Sequence, residues 1–597
     1  MIKVKFNKEQ VFSPLGIYFI YMITSGLAIM AFRFFFPGEA APLTFFSTRW
    51  RLIQGFLNYL DLFPALTLSA LVIPFGFKIE DQDRLYAHST QFIQTLKHAM
   101  VAAIAASTIY GLLFSLALPV ARNFEANMIF EGRLYQQARE LAQESAARGD
   151  WAEALHMLNI CERIWPGGPE HTNMKIEALV RTEGERLANV QRPANIPAET
   201  AFPNLGRNEE LSAAEAIALA EIALAEERFF DAHWLATQAS RLASPGSADI
   251  AVATRISGRA WHAINSLAPT AAQAHQQMLF RMKREGYEAL LAGDWIRSYF
   301  IFRDLLILSP EDPDIPRFLT MSESGVREVA FFLDELEMSL GRILTGAVFS
   351  FPYSPSLLHP SLPAQGRLVM RFYSLSTSSD SAFGIGAEIM AFDSAGRRLW
   401  TMEAPYAKIQ PFTHDATPSL AILLRALDRT DDTRRWEPEI RNFGQSAQSG
   451  ALIVLPVSWD NFLLLTNVRR GFYSLSMAEL RTAAENLGSF GYLPQIFEGE
   501  LLERFVRPLL LLPFGIFAIA LGWQYRALKR PRFMGIVMLG VLPLVFNGLV
   551  LFSRSWFNNL GVMTVIRLGF NNAAIIFGAG IVLLLVLSII ALSTRQR

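Results

Sequence analysis

The chain has 597 residues, 54 basic and 54 acidic, with 51% hydrophobic and 12% aromatic residues. Its mean hydropathy of +0.25 is too apolar for an ordinary soluble enzyme and its length too great for one compact domain, so it reads as a membrane protein of several parts. Balanced charge removes any overall pull toward nucleic acid, and the single Cys161, in an apolar helical stretch, excludes an intrachain disulfide framework and reads as helix core with no functional assignment.

Three apolar stretches lie at about 14–36, 57–77 and 98–120, and three more at about 508–525, 533–552 and 572–592. Roughly 20 helical residues cross a hydrocarbon core about 30 Å thick, so these six read as spans in two blocks of three. The first is too long for a signal-peptide core and is followed closely by two more, so it is expected to remain uncleaved. Lys and Arg in the short connections number twelve on the side of the termini against six on the other, the six including Arg49, Arg51, Arg504 and Arg507. Basic residues are retained on the cytoplasmic side, which places both termini inside and residues 121–503 outside, in the periplasm of a bacterium with two membranes.

Within that external region, residues 124–340 are Ala-rich and helical. Three stretches repeat a turn, an aromatic, an apolar helix and a closing proline: "ARGDWAEALHMLNICERIWP", "AEERFFDAHWLATQASRLASP" and "LAGDWIRSYFIFRDLLILSP". Gly149, Arg228 and Gly293 each precede their proline (Pro166, Pro245, Pro310) by 17 positions. The pattern is similar to tetratricopeptide helix pairs, although the steps of 79 and 65 residues between turns exceed the 34 of a tight array. A Pro- and Asn-rich break near 189–210 interrupts it, so an irregular solenoid in two lobes is expected, with a plain helical bundle as the alternative.

Beyond residue 341 the period becomes two. "GRLVMRFYSL", "FGIGAEIMAF", "RRLWTMEAPYAKI", "LAILLRAL" and "GALIVLPVSW" are short strand-like runs parted by Pro, Ser, Asp and Gly. Along the third, Trp400, Met402, Ala404 and Tyr406 share one apolar face, with Thr401 and Glu403 opposite. That face fits either a closed sandwich core or a groove for a lipid tail.

Arg33, in "AFRFFF" near the external end of the first span, is a costly intramembrane cation that invites a functional reading. It could instead snorkel to the headgroups. Arg49, Arg51, Arg504 and Arg507 lie at about the same depth and could complete a basic rim, since guanidinium groups grip phosphate through paired hydrogen bonds. Asp61 could pair with one of them.

The order of three spans, external β-domain and three spans resembles the bacterial lipopolysaccharide-export permease family (LptF/LptG, also YjgP/YjgQ type). The most specific local match is "SLSMAELRTAAENLGSFGYLPQIFEGELLERFVRPLLLLPFG", a short helix, a glycine turn and an amphipathic lead-in to the fourth span. "AFDSAGRRLWTMEAPYAKI" is similar to the family's paired strands. The likeness implies a membrane block over 1–123, a β-jellyroll-like domain over 341–475, an amphipathic connection over 476–507 and a second membrane block over 508–597. The helical region 124–340 has no counterpart there and reads as an insertion. The fold class expected is thus a multi-pass α-helical membrane protein with an external α-solenoid-like region and a β-jellyroll-like domain.

The same resemblance implies a permease subunit that pairs with a second permease, of the same or another chain. The pair would admit an anionic, lipopolysaccharide-like amphiphile laterally and pass it to the jellyroll, with Trp400, Met402 and Tyr406 on the relay strand, and onward to a periplasmic bridge protein. Energy would come from a separate cytoplasmic ABC ATPase, docked near Glu80, Asp81, Asp83 and Arg84, a cluster that equally fits a solvated loop or helix cap. The chain has no G-x-x-x-x-G-K-[ST] loop, no H-E-x-x-H and no Gly-x-Ser-x-Gly elbow, so no catalytic residue, cofactor or metal is assigned. The runner-up is a membrane-anchored helical-repeat scaffold that assembles envelope proteins; an enzyme acting on an envelope lipid is the least supported reading.

Overall fold

The computed structural model describes residues 14–76, 88–190, 212–266, 271–353, 366–414, 416–442, 452–524 and 533–594. It divides into two compact units, one of Met1–Arg181, Leu336–Ile422 and Pro438–Arg597, the other of Thr182–Glu335 and Leu423–Glu437. The expected domain boundaries near 124 and 340 therefore compare with breaks at 181 and 335, and a short later segment rejoins the helical unit.

Among its described residues the first unit holds five helices long and apolar enough to cross a bilayer: Gly16–Phe35, Thr44–Ile73, Leu96–Ala147, Pro494–Gly522 and Phe570–Thr594. This marks a membrane protein. The expected span at 533–552 lies within one 36-residue helix, Phe533–Leu568, which is not among those five. The helix of the third expected span continues beyond residue 120: His88–Leu112, a π turn over Leu113–Ala117 and Leu118–Ala147 form one continuous helical run. Pro119 explains the π turn, because proline lacks a donor and its ring crowds the carbonyl four residues back, and a widened turn relieves both. The bundle packs closely through small residues. A Cβ added at Gly522 would meet the Val72 carbonyl oxygen at 2.4 Å, so only glycine lets the Pro494–Gln524 helix approach Ser47–Gly76 there.

The sheet of this unit has seven strands. Leu452–Leu455, Thr417–Leu423, Arg398–His414, Ala382–Asp393, Gly366–Thr377 and Arg342–Tyr353 lie side by side in that order, and Glu439–Asn442 also pairs with Arg398–His414. Arg342–Tyr353 is a strand the alternation did not single out; Gly346 at φ 65° and Pro352 interrupt its pattern. The hairpin between Ala382–Asp393 and Arg398–His414 turns at Gly396, φ 79°. Asp393 ties the turn by accepting from the Ala395 and Arg397 amides at 2.9 and 2.8 Å, bonds that with the Arg397 side chain hold its carboxyl below the usual aspartate range.

The four long strands align their apolar residues in rows. Phe349, Met370, Ile389 and Met402 form one; Phe351, Leu368, Ala391 and Trp400 flank it on one side, Ala347, Phe372, Ala387 and Ala404 on the other. All are buried. Phe462 of the helix Trp459–Arg469 lies 5.6 Å from Phe349, and Phe490 lies 5.8 Å from Phe351, so the chain covers this face itself.

The second unit is built of Ala213–Ala225, Phe229–Leu242, Ala248–Ser266, Ala271–Leu291, Trp295–Leu308 and Asp314–Val329. Its first three helices meet in alanine layers: Ala216, Ala239 and Ala253; then Ala220, Ala236 and Ile256; then Ala223, Ala232 and Ala260. The running order makes neighbours antiparallel, and the missing side-chain bulk lets them approach. Three two-residue strands, Phe331–Phe332, Ala426–Leu427 and Arg435–Trp436, fasten the segment 423–437 to this unit.

The sequence repeat corresponds to a repeated turn. Trp151–Ile164, Phe229–Leu242 and Trp295–Leu308 are all 14-residue helices. Before each, the amides of Asp150, Arg228 and Asp294 bond the carbonyls of Ser145, Ala223 and Ala289 at 2.9 Å, closing the preceding helix in a Schellman motif. The left-handed residue is Gly149, Glu227 or Gly293, at φ 84°, 62° and 77°. Arg228 is therefore the equivalent of Asp150 and Asp294, one place later than its alignment with Gly149 and Gly293.

Candidate functional site

The first unit contains a cavity of about 410 Å³ among its membrane helices. Apolar side chains dominate its wall, among them Leu60, Leu68, Phe114, Leu118, Leu511 and Phe514, and its polar groups include Arg33, Asn58, Asp61, Arg507 and Arg554. Five helical segments contribute, so the site exists only once the bundle has assembled. Greasy walls with a few convergent cations suit an amphiphile.

Arg33 stands in the last turn of Pro14–Phe35 and donates to Asn58 Oδ1 at 3.5 Å; it makes no ion pair among the described residues. Arg507 pairs with Glu503 one turn earlier, and its guanidinium lies 5.0 Å from the Phe114 ring. Arg554 approaches Asp61 at 4.0 Å and donates to Tyr473 Oη at 3.3 Å. Arg122, beside the cavity, reaches Asp61 at 3.5 Å and Glu125 at 2.8 Å.

Of the five arginines expected to form a basic rim, the structure brings Arg33 and Arg507 to the cavity. Arg49 is exposed and does not line it. Arg51 donates to the Phe34 carbonyl at 3.3 Å, closing the corner after the first span. Arg504 is placed elsewhere: at 2% exposure it donates to the carbonyls of Leu475 and Phe472 at 2.5 and 2.9 Å and to Glu500 at 3.3 Å, so each of its three nitrogens helps to hold the 472–475 turn. Asp61 pairs with Arg122 and Arg554, neither of which was among its expected partners. Glu80, Asp81, Asp83 and Arg84 lie outside the described residues.

Trp400, Met402 and Tyr406 are all buried in the sheet core. Tyr406 donates its hydroxyl to Glu153 Oε1 at 2.7 Å, and burial with this carboxylate pushes its phenol well above the usual tyrosine range.

The residues that reasoning from sequence missed are Arg122 and Arg554. Each stands at one end of an apolar stretch, as Asp61 does, so charges of both signs at the ends of such stretches carried the signal. A scan against protein-family models finds no match, and a search of curated proteins finds none either.

Proposed function

We propose that this chain is a permease subunit of a lipid exporter, a six-span protein of the lipopolysaccharide-export type with both termini cytoplasmic in an inner membrane. It would take an anionic amphiphile laterally into the cavity, with the headgroup at Arg33, Arg507 and Arg554 and the tails along the leucine and phenylalanine wall. The single observation that carries this reading is the cavity itself, in which three arginines from three helices converge among apolar side chains. Cations inside apolar spans are expensive and mark binding pathways by default. Guanidinium groups hold phosphate or carboxylate bidentately. The external sheet would serve as a jellyroll-type relay and the helical unit as a solenoid that meets a periplasmic partner. Work would come from a cytoplasmic ABC ATPase docked at Glu80, Asp81 and Asp83, acting together with a second permease.

A specific observation favours a second reading. The sheet face that a relay needs open is packed against its own chain, which suits a membrane-anchored helical-repeat scaffold for envelope proteins. Purification from the native membrane in mild detergent, with mass spectrometry of what copurifies, separates the two. An ATPase and a second multi-span chain are expected for the exporter; repeated recovery of soluble envelope proteins alone would replace it with the scaffold.

A further inference from the structure

We infer that Asp61 is an internal counter-anion, which neutralises Arg554 while the cavity is empty and yields it to the phosphate-class headgroup of an entering amphiphile. The inference rests on reading the cavity as a headgroup site.

Asp61 is the one carboxylate among the described residues that line the cavity. The cations around it are unequally provided for. Arg122 is already paired with Glu125 at 2.8 Å, and Gln54 braces that carboxylate from a third direction at 2.7 Å. Arg507 has Glu503. Among the described residues Arg554 has, apart from Asp61, only the neutral Tyr473 hydroxyl at 3.3 Å. Asp61 is thus dispensable to Arg122 and matters to Arg554.

The geometry of Asp61 is that of a replaceable partner. Its oxygens stand 3.5 Å from Arg122 and 4.0 Å from Arg554, well beyond the about 2.7–2.9 Å of a good charge-assisted bond, and its side chain, which lines the cavity, is 45% exposed. Among the described residues it accepts no hydrogen bond. A phosphate could give Arg554 two parallel bonds of ordinary length, which Asp61 does not. An entering anion therefore competes with Asp61, whereas a neutral amphiphile gains nothing by displacing it. A neutral residue at position 61 removes the competitor and leaves the cavity one unit more positive, so anionic amphiphiles should be held more tightly and released more slowly.

The test uses the full chain in phosphatidylcholine nanodiscs, with photoactivatable phosphatidic acid as probe and diacylglycerol carrying the same chain as its neutral control. Labelling of peptides from residues 47–76 and 533–568 is followed against probe fraction. Saturable labelling by phosphatidic acid is expected, with half-saturation about fivefold to tenfold lower in Asp61→Asn and Asp61→Ser. The gain should vanish when Arg554→Gln is added. Saturable labelling that is unchanged or weaker in both replacements would overturn the counter-anion role and leave the headgroup reading standing. No preference for phosphatidic acid over diacylglycerol in the unaltered chain would overturn both. Competition by excess inorganic phosphate would reassign the site to a free anion, and undiminished labelling assigns it to the amphiphile. If neither replacement yields folded protein while Arg554→Gln does, Asp61 is structural and the inference fails.

Discussion

Lys283 in the helical unit and Asp61 among the apolar helices are both charged side chains beside apolar surroundings, and they are satisfied in opposite ways. Lys283 is 13% exposed; it donates to Asp312 at 2.9 Å and Asp314 at 2.8 Å, and its Nζ lies 4.8 Å from the Trp234 ring. Trp234 donates to the same Asp314 at 3.0 Å, which completes the shell. Burial alone would lower the lysine pKa, but the two carboxylates more than offset this and hold it above its usual value. Among the described residues Asp61 has no such shell, only two distant guanidinium groups and a cavity. Complete pairing at short range fixes a packing arrangement; incomplete pairing beside a cavity leaves an exchange open to a ligand.

The comparison breaks most visibly at Lys283. Lys283→Ala leaves two partly buried carboxylates without their cation, and removal of one partner from such a cluster costs about 3 kcal/mol. Hydrogen exchange in the full chain should accelerate across 229–242 and 271–291 while the membrane helices keep their protection; unchanged protection would mean the cluster is ornamental. The unit should also weaken in acid, because Asp314, although burial opposes it, is held below the usual aspartate value by Lys283. The linked stability is present above about pH 3.8 and is lost as pH falls through the lower folded pKa.

A milder acid effect is expected from His233. Its ring lies 5.3 Å from Trp261 and 5.5 Å from Phe280, and burial, with Arg284 nearby, pulls its pKa below the usual histidine value. A proton then prefers the unfolded chain, so stability is full above about pH 6.5 and declines as pH falls through the folded pKa. The midpoint of thermal unfolding reported by Trp261 should fall between pH 7 and pH 5 more in the unaltered chain than in His233→Phe. Equal slopes would remove His233 from the account. Asp61→Asn, by contrast, should shift the unfolding midpoint of the membrane block by an amount equivalent to about 1 kcal/mol or less, as for a loose exposed pair. A loss as large as that at Lys283 would place Asp61 among the structural charges.

How much of this was legible in the sequence follows from the range of the interactions. Span-length apolar runs, the period-two strands from 366 onward and the turn at Gly396 are set by neighbours a few residues away, and the sequence displays them directly. Arg504 reads as a rim arginine until the 472–475 turn supplies the carbonyls that absorb it. Trp400, Met402 and Tyr406 show an apolar face, but what covers that face comes from Phe462 and Glu153, elsewhere in the chain. Asp61 and Arg554 meet only when helices from both membrane blocks pack, so their pairing has no local signature.

The repeated turn gives the finest test, because there the sequence alignment and the backbone disagree by one residue. Gly149 and Gly293 occupy the left-handed position at no steric cost, whereas at the same place in the second turn stands Glu227 with φ 62°. A side chain in that region strains against its own carbonyl by about 1 kcal/mol, part of which is recovered in the unfolded chain, where glutamate is less free than glycine. Glu227→Gly should therefore stabilise the helical unit by about 0.5 kcal/mol, the only stabilising change expected here. Glycine at position 228 should do the reverse, since Arg228 holds Glu226 and Asp231 at 2.6 and 3.0 Å and stands at the N-cap position that Asp150 and Asp294 fill in the other turns. Thermal unfolding of the two variants decides the register: a gain at 228 with a loss at 227 would restore the spacing of 17 residues to proline as the true equivalence of the three turns.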